Sequence, residues 1–260
     1  GDDHSGGEDV HARATAMIRL FHITRLASVL LVCSVTFVDV SGQSAATERN
    51  PDVVTFLEAQ SKYRNKDGYR MQVRMSSYKG HLSTTPVDTA TTVYYKNGRS
   101  FYQRSMGTTS IQSDGILAVM IEEDSTIRLG DPIDVPDPFK VYDERQAWSM
   151  FTSSSHKVVG GRSTCMLEMS HPEYERLEYT VDDTGWLTRI VLYFREAIAE
   201  EDYPNAPMLR PKVVLDLDPP VSFNKGKEAW RFDMSTFVRF DRNGPVSSIQ
   251  GYRVIDMRVK

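Results

Sequence analysis

Residues 69–75, Tyr-Arg-Met-Gln-Val-Arg-Met, alternate apolar and polar side chains without a break. Successive side chains of an extended chain point to opposite sides, so one side carries only apolar residues: Tyr69, Met71, Val73 and Met75. An amphipathic helix would instead repeat every three to four residues. The stretch therefore predicts a strand with one buried face and one solvated face.

A hairpin signal follows in residues 93–102, Val-Tyr-Tyr-Lys-Asn-Gly-Arg-Ser-Phe-Tyr. Asn97-Gly98 favours a two-residue turn, because both residue types tolerate positive φ. A turn centred there predicts three cross-strand pairs, Val93 with Tyr102, Tyr94 with Phe101, and Tyr95 with Ser100. Both faces of the hairpin then carry aromatic rings, which suits a sheet covered on two sides.

A second hairpin is predicted around the loop at residues 182–185, Asp-Asp-Thr-Gly. Counting back from a four-residue loop pairs Val181 with Trp186, Tyr179 with Thr188, and Leu177 with Ile190. The other face then pairs Glu178 with Arg189. Opposite charges across a strand pair contribute only about 0.2–1 kcal/mol, but they support this register.

One helix is predicted at residues 51–66, ahead of the first strand. Asn50 caps it, Pro51 suits its first turn, and Asp52 favours the positive end of the helix dipole. A second helix is predicted from the spacing of Phe139, Tyr142, Gln146 and Met150.

Further strands are predicted at residues 116–121, 125–129, 165–169 and 213–217, with a last hairpin joining 237–240 to 250–259. Residues 196–207 read as an acidic, proline-containing loop. The total is roughly ten strands and two helices with no βαβ pattern, which favours antiparallel pairing. The fold class is therefore mainly β (α+β), formed by one domain over residues 44–260.

The N-terminal region has the order of a secretory signal peptide at residues 17–43. Basic residues come first, and an apolar run of about 13 residues follows, shorter than the roughly 20 of a spanning helix. Residues 1–16 then read as an upstream extension ahead of Met17. The alternative is a polar arm before a single-pass helix. Lipidation of Cys33 is a lesser alternative, because a lipidated cysteine normally follows a small residue and Val32 precedes this one.

Charge and cysteine content narrow the class of protein. The chain has 31 Lys and Arg residues against 35 Asp and Glu, a net charge of −4, so it has no large positive electrostatic field to attract nucleic acid. If Cys33 leaves with the signal, Cys165 remains alone and forms no internal disulfide.

Catalytic and metal-binding motifs are not found in the sequence, which predicts no enzyme activity, no cofactor and no metal site. His81, His156 and His171 fall in loop-like contexts and are not spaced as a ligand pair. A weak metal site at His171 beside Glu173 and Glu175 is the alternative to a solvated loop.

The order of elements from about Asn50 to Lys260 resembles the periplasmic lipoprotein-carrier superfamily, the LolA- and LolB-like group. The resemblance rests on the signal peptide, the capped helix, the strand at 69–75, the hairpin at 93–102 and the later strands. It implies an unclosed, curved antiparallel sheet, a half-barrel, whose apolar concave side accepts acyl chains. The acidic segment at 196–207 departs from that pattern.

This resemblance implies a carrier of lipid or acylated protein, exported to the periplasm or cell envelope. The candidate ligand-binding residues form one proposed apolar surface: Tyr69, Met71, Val73, Met75, Val93, Tyr95 and Tyr102. Eleven methionines suit an adaptable apolar site as well as an ordinary core. An envelope assembly protein that binds a protein partner through the same sheet is the alternative function, and a hydrolase is the third. The sequence does not predict an oligomeric state.

Overall fold

The computed structural model describes residues 50–134, 149–159, 162–199, 208–241, 244–248 and 251–258. The predicted signal peptide, the extension before it and Cys33 lie outside these residues. So does most of the predicted second helix, of which only Met150 is described. Among the described residues, no helix is long and apolar enough to cross a membrane.

Seventeen strands are present in the described part of the chain. The first ten are β1 Tyr69–Tyr78, β2 Asp88–Asn97, β3 Ser100–Ser105, β4 Thr108–Ser113, β5 Ile116–Ile121, β6 Thr126–Gly130, β7 Phe151–Val159, β8 Arg162–Met169, β9 Tyr174–Val181 and β10 Leu187–Phe194. The others are β11 Ile198–Ala199, β12 Met208–Leu209, β13 Lys212–Leu217, β14 Val221–Ser222, β15 Val238–Asp241, β16 Gly244–Ser248 and β17 Arg253–Asp256.

Thirteen of these strands form one unclosed sheet, in the order β17-β6-β5-β4-β3-β2-β1-β13-β10-β9-β8-β7, with β14 also on β1. The mainly β class is confirmed, with more strands than the ten expected. The pairing is antiparallel except at one edge, where β17 runs parallel to β6. There the expectation of a purely antiparallel sheet was wrong.

Helix α1 spans Pro51–Asn65, as predicted apart from its last residue. The side chain of Asn50 accepts a hydrogen bond from the Asp52 N–H at 2.9 Å, which satisfies one of the free donors at the helix start. A four-residue helix, α2 Lys225–Glu228, continues into 3₁₀ turns at Ala229–Phe232 and Met234–Thr236.

The two faces of the sheet carry different covers. The helix face, defined by Tyr69, Met71 and Val73 of β1, packs against α1. The outer face is the opposite side of the sheet, and between β2 and β6 it packs against the C-terminal segment that begins at Phe223.

The register of the first hairpin differs from the prediction by two residues. Gly98, with φ at +60°, is the first central residue of a Gly98-Arg99 turn, the position where a type II′ turn takes glycine. Tyr95 therefore lies across from Tyr102, and Tyr94 lies across from Gln103. A shift of two residues leaves every side chain on its predicted face of the hairpin.

The second hairpin contains a bulge at Thr188 that the count did not include. Glu178 lies across from Val191, so the predicted Glu178–Arg189 pair was wrong. Arg189 instead lies 3.6 Å from a carboxylate oxygen of Asp216 on the next strand, β13. The predicted pairs on the other face were also wrong: Val181 lies across from Leu187, Tyr179 from Ile190 and Leu177 from Leu192. The turn shifts the register by one residue and the bulge by one more, so Ile190 still shares a face with Leu177.

Several other strands differ from the expectation. β4 and β7 were not predicted, because their runs of Ser and Thr give a weak apolar pattern. The last hairpin joins β15 to β16, while β17 pairs with β6. In the segment expected to be an acidic loop, β11 pairs with β12 across residues 200–207, which lie outside the described residues.

Candidate functional site

The layer between α1 and the sheet is the largest apolar cluster in the described residues. The helix contributes Val53, Phe56, Ala59 and Tyr63, spaced at three or four residues so that they share one face. The sheet contributes residues from seven strands, among them Tyr69, Met71, Val73, Tyr94, Phe101, Leu177, Leu187, Ile190, Leu192 and Leu217. We refer to this cluster as the helix-face core.

Three hydrogen bonds to backbone carbonyls attach α1 to the sheet. The Tyr63 hydroxyl donates to the Leu187 carbonyl at 2.7 Å, and the Lys62 ammonium donates to the Thr184 carbonyl at 2.6 Å. At the other end of the helix, the Tyr179 hydroxyl donates to the Asp52 carbonyl. The attachments lie near the two ends of α1, and the contacts between them are apolar.

The structure places four of the seven predicted ligand-binding residues on the helix face. Tyr69, Met71 and Val73 are buried in the helix-face core. Met75 lies further along β1 in a smaller cluster with Ala90 and Val213. These four residues form the apolar row that the alternation predicted.

The other three predicted residues, Val93, Tyr95 and Tyr102, lie on the outer face. In the pairing of β1 with β2, Met71 lies across from Tyr94, while Tyr95 lies across from Arg70. Neighbouring positions alternate between faces, so Tyr95 cannot share a surface with Met71. The expectation of one apolar surface from all seven residues was therefore wrong.

On the outer face, the C-terminal segment covers Tyr95 and Tyr102. The Arg231 guanidinium lies 4.5 Å from the Tyr95 ring centre and 5.6 Å from that of Tyr102. The Tyr95 hydroxyl donates to a carboxylate oxygen of Glu228 at 3.0 Å. Burial, followed by this hydrogen bond, raises the pKa of Tyr95. The cation–π contacts of Arg231 and the hydrogen bond from Tyr95 to the charged Glu228 together hold the segment against the sheet.

Buried polar side chains continue the helix face across β3 and β4, beyond the helix-face core. Gln103, Ser110 and Gln112 lie in register with that face. The Gln112 side chain donates to the Ile133 carbonyl and accepts from the Ile133 N–H, both at 2.8 Å. The missed strand β4 supplies two of these residues. The Asp114-Gly115 dipeptide after it was the available hairpin signal.

A second grouping joins Asp52 of α1, His156 of β7 and Cys165 of β8. Their ligand atoms all lie within 4.8 Å of one another. Burial, with a further contribution from Asp52, raises the pKa of the Cys165 thiol to about 11. The raised pKa keeps the Cys165 thiol protonated near neutral pH.

The alternative metal site at His171 has a different explanation. The Nδ1 atom of His171 accepts from the Glu173 N–H at 3.1 Å and from the Tyr174 N–H at 3.3 Å. Burial lowers the pKa of His171, which favours the neutral ring that accepts these bonds. Glu175 lies apart from this turn, bound to Arg210 at 3.0 Å.

No protein-family model matches the sequence, and no curated protein matches it. By structure, the chain is similar to the Mycobacterium tuberculosis lipoprotein LppX, with a TM-score of 0.36 and 10% identity over 65% of this chain and 95% of that one. It is also similar to a LolA superfamily protein from Nitrosomonas europaea, with a TM-score of 0.29 and 11% identity over 66% of this chain and 94% of that one.

A third similar structure is MucB in the Pseudomonas aeruginosa MucA/MucB complex, with a TM-score of 0.36 and 11% identity over 65% of this chain and 58% of that one. The likeness to these three structures is one of fold.

Proposed function

We propose that this protein is an exported, non-enzymatic carrier of the periplasm or cell envelope that holds an acyl chain, of a lipid or an acylated protein, against the helix face. The observation that carries the proposal is the helix-face core itself. Its sheet side is an apolar surface spread over seven strands, and a single helix of 15 residues covers it. Tyr69, Met71, Val73 and Met75 remain the proposed contacts on that surface.

An acyl chain enters this layer only if α1 shifts, because Phe56 packs against Phe151 and Tyr179. Tyr63 likewise packs against Trp186. Such a shift breaks the hydrogen bonds at one end of the helix while the strand ladder stays intact. Each methylene buried against the sheet gains about 0.8 kcal/mol relative to water, and this gain must exceed the burial that the displaced helix side chains lose. The gain grows with chain length, so long saturated chains bind best.

The test is a titration of the purified protein with a fluorescent long-chain fatty acid, together with mass spectrometry of a solvent extract. Met71→Ala removes a helix-face contact, and Met120→Ala removes the same atoms from the outer face. We expect Met71→Ala to weaken binding about fivefold or more and Met120→Ala to leave it unchanged. Thermal unfolding shows whether the two variants lose similar stability.

Saturable binding that both variants weaken equally would place the ligand elsewhere. No saturable binding by the wild type would contradict the carrier and favour the second candidate, an assembly protein. That candidate is supported by large apolar side chains exposed in the C-terminal part: Val221, Trp230, Phe240 and Met257. Trp230 is 44% exposed although its ring packs on Tyr102.

A further inference from the structure

The N-terminus of α1, the edge strand β7 and its neighbour β8 bring three different ligand types together. His156 lies directly across from Cys165 in the β7–β8 register. Asp52, in the first turn of α1, lies above this pair, with one carboxylate oxygen 2.6 Å from Nε2 of His156. The thiol, imidazole and carboxylate ligand atoms lie within 4.8 Å of one another.

We propose that Asp52, His156 and Cys165 form a binding site for a transition metal of the zinc class. Zinc takes sulfur, nitrogen and oxygen ligands together, whereas calcium and magnesium prefer oxygen alone. When the ion binds, the Cys165 sulfur bonds to it as thiolate and its proton is released to solvent.

The spacing of the ligands fits such an ion after a small adjustment. Bond lengths of about 2.0–2.3 Å to a tetrahedral zinc place ligand atoms roughly 3.3–3.6 Å apart. The atoms here span a slightly wider range, from the 2.6 Å His156–Asp52 contact to at most 4.8 Å. The His156 side chain is 60% exposed on an edge strand, so its ring can turn to complete the site.

The surroundings of Asp52 hold its carboxylate toward the site. The Ser154 hydroxyl donates to the second carboxylate oxygen, and Asn50 donates to Ser154 at 3.1 Å. The Tyr179 hydroxyl fixes the Asp52 backbone from the sheet side. Outer hydrogen bonds of this kind orient metal ligands in proteins. With three protein ligands, the fourth coordination position is left for water on the exposed His156 side.

The competing explanation is an ordinary buried thiol beside a surface His–Asp ion pair, with no affinity for metals. Cobalt(II) separates the two, because thiolate coordination gives a charge-transfer absorption in the near ultraviolet that imidazole and carboxylate do not. The protein, with Cys33→Ser so that only one thiol is present, is reduced, freed of metal and titrated with cobalt. We expect this band to saturate at one equivalent and to disappear when zinc is added.

Two histidine variants decide whether the site is the one assigned. His156→Ala removes a ligand from an exposed position, so circular dichroism should show an intact fold. The matched control is His81→Ala, since His81 also lies near a carboxylate, 3.5 Å from Glu175, but outside the assigned site. Removing an outer-shell partner weakens metal binding about 10- to 100-fold. We expect His156→Ala, which removes a direct ligand, to weaken cobalt and zinc binding by more than that. His81→Ala should leave binding unchanged.

Two results would overturn the assignment. One is a titration without the thiolate band, which would mean that Cys165 does not bind the ion. The other is equal metal affinity of the wild type and His156→Ala. Neither result bears on acyl-chain binding, which the fatty-acid titration measures separately.

Discussion

The hydroxyl of Tyr179 donates a hydrogen bond to the backbone carbonyl of Asp52 at 2.7 Å, joining strand β9 to the first turn of α1. Burial raises the pKa of this hydroxyl, so Tyr179 stays a donor throughout the working pH range. At the far end of the helix, Tyr63 makes the equivalent bond to Leu187, also at 2.7 Å. The two tyrosines attach opposite ends of the same helix.

Removing either hydroxyl should therefore destabilise the protein. We expect Tyr63→Phe and Tyr179→Phe each to lower the free energy of unfolding by about 0.5–1.5 kcal/mol, measured by urea unfolding. The two sites are about 11 residues apart along α1, or roughly 16 Å, so their effects should add within about 0.5 kcal/mol. If either single variant already detached the whole helix, the double variant would lose much less free energy of unfolding than the sum of the two single losses.

The turn after β9 should make stability depend on pH. Desolvation raises the pKa of the Asp182 carboxyl, but hydrogen bonds from Trp186 and Thr184 and the charge of Lys62 outweigh it, leaving the pKa below its ordinary value. A lowered folded pKa stabilises the fold above the unfolded value, about 4, and this contribution is lost as the pH falls through the folded pKa.

Asp182→Ala should accordingly be less stable than the wild type at pH 7, and the difference should shrink in acid. Thermal unfolding between pH 2 and pH 7 measures it. Asp183→Ala is the matched control, because the hydrogen bonds of the turn go to Asp182. A difference of constant size down to pH 2 would contradict the assignment.

The first hairpin predicts a difference between two glycines. Gly98 has φ of +60°, which L-residues avoid, whereas a Cβ at Gly130 meets open space without such a constraint. Gly98→Ala should lower the free energy of unfolding by about 1–2 kcal/mol, while Gly130→Ala should be neutral or slightly stabilising. Equal effects in urea unfolding would mean that Gly98 is not the residue with positive φ.

The thiol of Cys165 should react slowly in the folded protein. It is only 3% exposed, and its pKa is raised to about 11, so both access and thiolate formation oppose labelling. In the Cys33→Ser background, we expect labelling to accelerate strongly once denaturant unfolds the chain. Leu82→Cys provides the reference rate, since position 82 is 95% exposed. Rapid native labelling at Cys165 would show that β8 opens readily.

Local patterns predicted the elements that form by local interactions. The cap at Asn50, the alternation from Tyr69 to Met75 and the apolar run of β5 each appear where the sequence indicated. The candidate site was predicted less well, because Tyr95 and Tyr102 were assigned to the face of Met71. Alternation shows which residues of one strand share a side, but it does not show how two strands align.

The grouping of Asp52, His156 and Cys165 could not be predicted from spacing. Asp52 lies in a helix about 100 residues before the two strands that carry His156 and Cys165. His156 lies in a serine-rich strand with no apolar pattern. Only the packing of α1 across the sheet brings the carboxylate to the thiol.

The sequence by itself determined the mainly β class, the capped helix and the faces of individual strands, because these depend on neighbouring residues along the chain. The tertiary structure alone decided that β1 lies between β2 and β13, and that β17 closes the β6 edge in parallel. The pairings of β1 with β13 and of β17 with β6 join residues more than 100 positions apart, through backbone hydrogen bonds that are the same for every residue type. Their choice depends on how the whole apolar surface is buried, and a local pattern of residues does not contain that information.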